Sequence, residues 1–86
     1  MPRISHVTVR HNDRTATVVL TDGKRFSFAY KARNSLEGPQ VQVVGDVAAV
    51  AKLVRLDEDE VLYHIVEKIT TTLVAADILR EALLHH

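Results

Sequence analysis

From His6 onward the chain alternates apolar and polar residues, HVTVRHNDRTATVVL, with one interruption at Asn12-Asp13. Period-two alternation predicts a half-buried strand, and a polar break between two such runs predicts a hairpin. A second break, TDGK, leads into RFSFAY, which alternates again. The need to bury one face then selects the register. A two-residue turn at Asn12-Asp13 pairs Val9 with Ala16 and Val7 with Val18. In the second hairpin, a two-residue turn at Asp22-Gly23 would set Val18 and Leu20 on the opposite face from the aromatic residues. A three-residue loop, Thr21-Asp22-Gly23 with Gly23 left-handed, pairs Phe26 with Val18 and Phe28 with Ala16 and gathers the large apolar groups on one face. The expectation is a three-stranded meander over about residues 4–11, 15–21 and 24–31. Its buried face carries Val7, Val9, Val18, Leu20, Phe26, Phe28 and Tyr30. Residues 31–39, KARNSLEGP, are expected to form a loop or a single helical turn, and QVQVV (40–44) to add a short fourth strand.

Past Gly45 the period changes. Asp46 is a plausible N-cap for VAAVAKLVR. Asp57 and Glu60 form a D-x-x-E pattern resembling a capping box, so a second helix is expected from Glu58. Along it Leu62, Ile65, Ile69, Thr72, Ala76, Leu79 and Leu83 recur at alternating steps of three and four, a heptad-like stripe. A continuous helix over 58–84 is about 40 Å long at ~1.5 Å per residue. A six-residue strand spans only about 20 Å. The helix therefore either breaks near Thr70-Thr71-Thr72, where β-branched residues cost roughly 0.5 kcal/mol each, or outruns the sheet. Between Leu73 and Leu84 the only polar residues are Asp77, Arg80 and Glu81. That apolar arc is wider than one packing face requires. The expectation is a homodimer through Leu73, Ala76, Leu79 and Leu83, with a bent helix packed inside a monomer as the alternative. The fold class read from these patterns is α+β. A three- to four-stranded antiparallel meander (about 4–44) is packed on one face by two C-terminal helices (about 46–84), in one domain spanning 1–86.

Net charge is zero, and the zero conceals a division. Residues 1–34 carry seven basic side chains against Asp13 and Asp22, and residues 35–86 carry nine acidic against four basic, so the halves are +5 and −5. Such asymmetry speaks to partners rather than to fold. Two clusters follow. Arg10, Arg25 and Lys24 make a basic patch on the polar side of the predicted sheet. Asp57, Glu58, Asp59 and Glu60 make an acidic corner, which the positive end of a helix dipole also explains at about 0.3–1 kcal/mol each.

The corner between the helices resembles the helix-turn-helix region of small bacterial regulators over about 20 of the 86 residues. Ala51, Leu56, Val61 and Ile65 sit where that motif places a small residue, a turn hydrophobe and two core positions. Arg55 stands in place of the usual turn glycine. The resemblance implies DNA contacts from Tyr63, His64 and Lys68. Four acids at the start of the second helix oppose it, because affinity for DNA comes mainly from neutralising phosphates. KRFSFAY (24–30) resembles the aromatic strand of RNA-binding sheet domains in charge and alternation, though it lacks that strand's glycines. The competing reading is that Phe26 and Phe28 lie beneath the helices.

Catalytic signals are thin. There is no cysteine, the serines lack a glycine-bracketed elbow, and the three glycines all fall at turns. Glu60, His64 and Glu67, at i, i+4 and i+7, could offer two carboxylates and an imidazole to a metal, although such trios are more often a solvated face. No apolar run approaches the roughly 20 residues that span a bilayer. His85 and His86 are left out of site reasoning. The expectation is a small cytoplasmic, non-catalytic binding protein without cofactor or metal: an adaptor, inhibitor or accessory factor. It would act through charged surfaces on itself and on another protein, with a DNA-binding regulator as the alternative.

Overall fold

A computed structural model of the chain describes the backbone of residues 1–84, and the side chains of all of these except 34, 38, 39 and 78–84. Four strands, β1 (Ile4–Arg10), β2 (Thr15–Leu20), β3 (Arg25–Ser35) and β4 (Gly38–Val44), form an antiparallel sheet in the order β1-β2-β3-β4. Two helices follow, α1 (Val47–Val54) and α2 (Glu58–Leu84). The α+β architecture expected from the periodicity is therefore present.

Both hairpin registers match the ones selected by burial. Val7 faces Val18 and Val9 faces Ala16; Phe26 faces Val18 and Phe28 faces Ala16. The second turn is the three-residue loop. Gly23 has φ +90°. Its N–H donates to the Leu20 carbonyl at 3.0 Å, and the Leu20 N–H donates to the Lys24 carbonyl at 2.9 Å. The first turn is wider than the expected two residues. A two-residue type I′ turn needs positive φ at both central positions, and here the positive φ falls instead on Arg14, at 53°. Residues 11–14 make the connection, and the Arg14 carbonyl turns toward β3 to accept from the Tyr30 N–H at 2.9 Å.

The segment 31–39 is not a loop or a helical turn. β3 continues through it to Ser35, reverses over two residues, and returns as β4 with Ala32 opposite Val41 and Arg33 opposite Gln40. Ala32 keeps the inward parity of Phe28 and Tyr30, so the alternation persists under polar residues. Pro39 is tolerated because β4 is an edge strand, where a missing N–H leaves no ladder bond unmade. At ~3.3 Å per residue the longer β3 covers roughly 36 Å. The sheet therefore runs along much more of α2 than a six-residue strand would.

All the large inward groups meet in one core. Leu20, Ile65, Ile69, Val18, Val50 and Val61 are fully buried, with Phe28 and Tyr30 beside them. Phe26 is half-buried and packs against this core, so the aromatic strand serves the helices rather than presenting rings to bases. α1 is capped by Asp46, whose Oδ1 accepts from the Ala49 N–H at 3.1 Å.

α2 is one unbroken helix of 27 residues. It passes through Thr70-Thr71-Thr72 because burial of Ile65, Ile69 and Leu73 around them outweighs a few tenths of a kcal/mol per threonine. The Thr72 hydroxyl donates to the Lys68 carbonyl at 2.8 Å, the usual way a threonine settles inside a helix. The buried stripe differs from the heptad reading. It runs Val61, Ile65, Ile69 and then Leu73, while Leu62 is 37% exposed. A helix seated on a twisted sheet contacts it along an i±4 ridge inclined to its axis. A 3–4 heptad seam is the geometry of a supercoiled helix pair.

Candidate interaction surfaces

Because both helices cover one face of the sheet, the other face stays open. There Arg10 and Arg25 border a shallow basin of about 250 Å³ floored by Thr8, Thr15, Thr17 and Ser27. Their positions follow from register. Arg10 lies opposite Thr15 and Arg25 opposite Val19, so the two guanidinium-bearing positions flank β2. They are offset by four residues along the strands, about 13 Å, and lie one strand to either side of β2, so their backbones are about 16 Å apart. The Thr17 and Ser27 hydroxyls are hydrogen-bonded to each other at 3.2 Å. Lys24 is exposed in the tight turn, its N–H bonded to Asp22 Oδ1 at 3.0 Å, and it does not line the basin. The alternation that puts the two arginines on this face puts Thr8, Thr15, Thr17 and Ser27 there with them, and the basin they form depends on three strands at once.

The acidic corner is solvent-facing: Asp57, Glu58, Asp59 and Glu60 are all exposed. The Asp57 carbonyl accepts from the Glu60 and Val61 N–H groups at 3.1 and 3.2 Å and so opens α2. Three acids occupy the first turn of the helix. That placement is favourable for the helix whether or not a partner reads it.

Between the helices Arg55 adopts the left-handed conformation, φ 55°, that a glycine would take more easily. The Ala51 carbonyl accepts from the Arg55 N–H and also from the Leu56 N–H, the latter at 3.1 Å. Ala51, Val61 and Ile65 are buried as a tight helical corner requires, whereas Leu56 is 37% exposed. Tyr63, His64 and Lys68 all reach solvent but do not share one face. His64 and Lys68, one turn apart, line a groove beside β1, and Tyr63 stands outside it. The Tyr63 and His64 rings meet edge to face with centroids 6.4 Å apart. Glu60, His64 and Glu67 do not converge; among the described residues no three His, Asp or Glu side chains are grouped to hold a metal ion.

That groove, about 740 Å³, was not foreseen. It separates the outer edge of β1 from the helical corner and the following turns of α2. A second cavity of about 570 Å³ lies where α2 passes Tyr30, Arg14 and Arg33. The Tyr30 hydroxyl is buried there, and among the described residues it has no hydrogen-bond partner. Burial pushes its pKa above the usual phenol value, and the nearby Arg14 charge opposes that in part.

Tyr30→Phe removes a polar group that burial penalises by about 1–3 kcal/mol when unpaired. The expected outcome is an unchanged or higher unfolding midpoint in urea. The raised pKa adds a pH signature. The unfolded chain ionises Tyr30 first, so the wild type loses stability as pH rises past the ordinary phenol value near 10 until the folded pKa is reached. The Phe variant should lack that component of the alkaline loss. A clear drop in stability at neutral pH would mean that the hydroxyl has a partner.

Of the residues expected at a dimer interface, Leu73 is half-buried against its own core and Ala76 is half-buried beside Tyr30 and Ala32. Val74, on the outer side, is 40% exposed. The Leu79 and Leu83 side chains lie outside the described residues. Among the described residues no helix is long and apolar enough to cross a membrane. Comparison with known proteins returns no match: no family model, no curated protein and no solved structure matches this chain.

Proposed function

We propose that this chain is a small non-catalytic binding protein that engages an acidic partner protein across the open face of its sheet. One observation carries the reading. Both helices lie on the same side, so Arg10 and Arg25 stand uncovered on either side of a hydroxyl-lined basin. Charge at such a surface steers encounter and sets specificity more than it adds raw affinity. The reading includes self-association through the outer side of α2 beyond Leu73.

A second reading, a DNA-binding regulator using the corner at about 46–68, rests on the left-handed Arg55 between two helices whose Ala51, Val61 and Ile65 are buried. One experiment separates the two. Protein captured from the cells that make this chain is compared between wild type and Arg10→Glu/Arg25→Glu, and duplex DNA binding is titrated at about 0.15 M salt. The expected outcome is a specific captured protein that the double variant loses and Lys24→Glu keeps, with no DNA affinity. An identical captured set from both proteins would sink the open-face reading. DNA affinity that falls steeply with salt and vanishes in Lys68→Glu would establish the second one.

A further inference from the structure

The outer edge of β1 carries an observation independent of the open face. β1 ends the strand order, and among the described residues no strand pairs with its outer side. The hydrogen bonds identify which groups lie free there. Leu20 directs its N–H to Lys24, toward β3. Successive residues of an antiparallel strand alternate in the direction their backbone groups point. Thr15, Thr17 and Val19 therefore face β1, where they are opposite Arg10, Thr8 and His6. The N–H and C=O groups of Val7 and Val9 are left pointing outward, while their side chains pack inward. A bulge between Ile4 and His6 ends this regular stretch.

Natural sheets usually blunt such an edge with charge, proline or a covering element. Here Val7, Thr8 and Val9 carry no charge and no proline, and at Val7 begins the groove of about 740 Å³, which borders the chain from there back through the bulge to Arg3. Its floor is apolar, from Ile4, Val7, Val54 and Leu56, and Leu56 is 37% exposed. Its rim is basic, with Arg3, Arg55 and Lys68 against Glu67 as the sole carboxylate among the described lining residues, and with His6 and His64 beside them.

We infer that β1 is a docking edge: an extended acidic segment of a partner protein adds to it as a fifth strand. The free groups of Val7 and Val9 supply its main-chain hydrogen bonds. The apolar floor takes alternate side chains, and the acidic positions meet Arg3, Arg55 and Lys68. A second copy of this chain is disfavoured as the occupant, because its own β1 and rim would bring a second basic set against the first.

The test uses the whole chain and a randomised heptapeptide library on phage, selected at about 0.15 M salt. Enriched peptides should alternate apolar and acidic residues. For the best of them, Arg55→Glu/Lys68→Glu should weaken binding about tenfold or more, whereas Arg10→Glu/Arg25→Glu should leave it within about twofold. Failure here is thereby distinguishable from failure of the open-face reading. The same peptide N-methylated at alternate residues, which leaves the protein untouched, should lose binding. In the complex the Val7 and Val9 amides should become protected from hydrogen exchange. Enrichment of basic or helix-patterned peptides, no enrichment, or equal binding by the N-methylated peptide would overturn the inference. So would a dimer that dissociates in Val9→Pro, because a second copy would then hold the edge.

Discussion

Gly45→Ala is expected to destabilise the domain by about 2–4 kcal/mol, with the denaturant midpoint lowered and the slope unchanged. Two causes combine at this position. Gly45 has φ +153°, a conformation that side-chain-bearing residues rarely adopt. A Cβ placed there would also clash with Phe28 Cδ1 and stand 3.0 Å from Cε1. Phe28 has little room to retreat, being 3% exposed and packed in the core. The chain needs this close approach because Gly45 joins the end of β4 to the start of α1, and the helix must turn back over the sheet at once. Gly23→Ala separates the two causes. Gly23 is also left-handed, φ +90°, but a Cβ there meets nothing within 4 Å. Its cost should stay near about 1 kcal/mol, the strain component alone. Equal losses at the two glycines would mean that the contact with Phe28 is relieved easily and that the corner is looser than its geometry implies.

Ile65→Ala is expected to cost about 2–5 kcal/mol, the range for truncating a fully buried aliphatic side chain that leaves a cavity. Ile65 has no exposed surface and sits midway along the buried ridge of α2, between Val61 and Ile69. For a domain of this size each kcal/mol moves the melting temperature by roughly 4–8 °C, so the variant should melt about 8–40 °C lower. Leu62→Ala is the informative companion. The heptad stripe counts Leu62 as an inward position, whereas the fold leaves it 37% exposed on the side of the helix away from the core. Its truncation should cost no more than about 0.5–1 kcal/mol. A cost at Leu62 comparable with that at Ile65 would show that the helix presents a different face to the sheet, or that Leu62 is covered by a partner.

The contrast between these two leucine and isoleucine positions marks how far the chain could be read without its fold. Val61 and Leu62 are adjacent, both apolar, and both acceptable to a pattern of threes and fours. Which of them goes inward depends on the angle at which α2 crosses the sheet, and that angle comes from the sheet's twist and from α1. The same limit applies to KARNS. Its side chains are mostly polar, so nothing in it advertises a strand, and only pairing with β4 makes Lys31 through Ser35 part of β3. The candidate surfaces divide in the same way. Arg10 and Arg25 belong to one face by parity alone, and the acids at 57–60 are helix-opening residues by position alone. The groove beside β1 joins residues more than 60 positions apart in the chain, from Arg3 to Lys68, and no local pattern records that.

By itself, the sequence determined what local physics controls. The two hairpin registers followed from which residues must share a buried face, and Gly23 followed from the positive φ of the loop. The Asp46 cap and the change from a two-residue to a helical period at Gly45 followed from the same short-range rules. Tertiary structure decided the rest: the continuation of β3 and β4, the unbroken course of α2 through its threonines, the i±4 ridge that replaces the heptad stripe, and the unpaired edge of β1 with its basic groove. The physical reason is one of range. Alternation, capping and turn conformation are settled within a few residues, whereas helix crossing angle, strand extension and surface juxtaposition are settled by how much apolar area the whole assembly can bury.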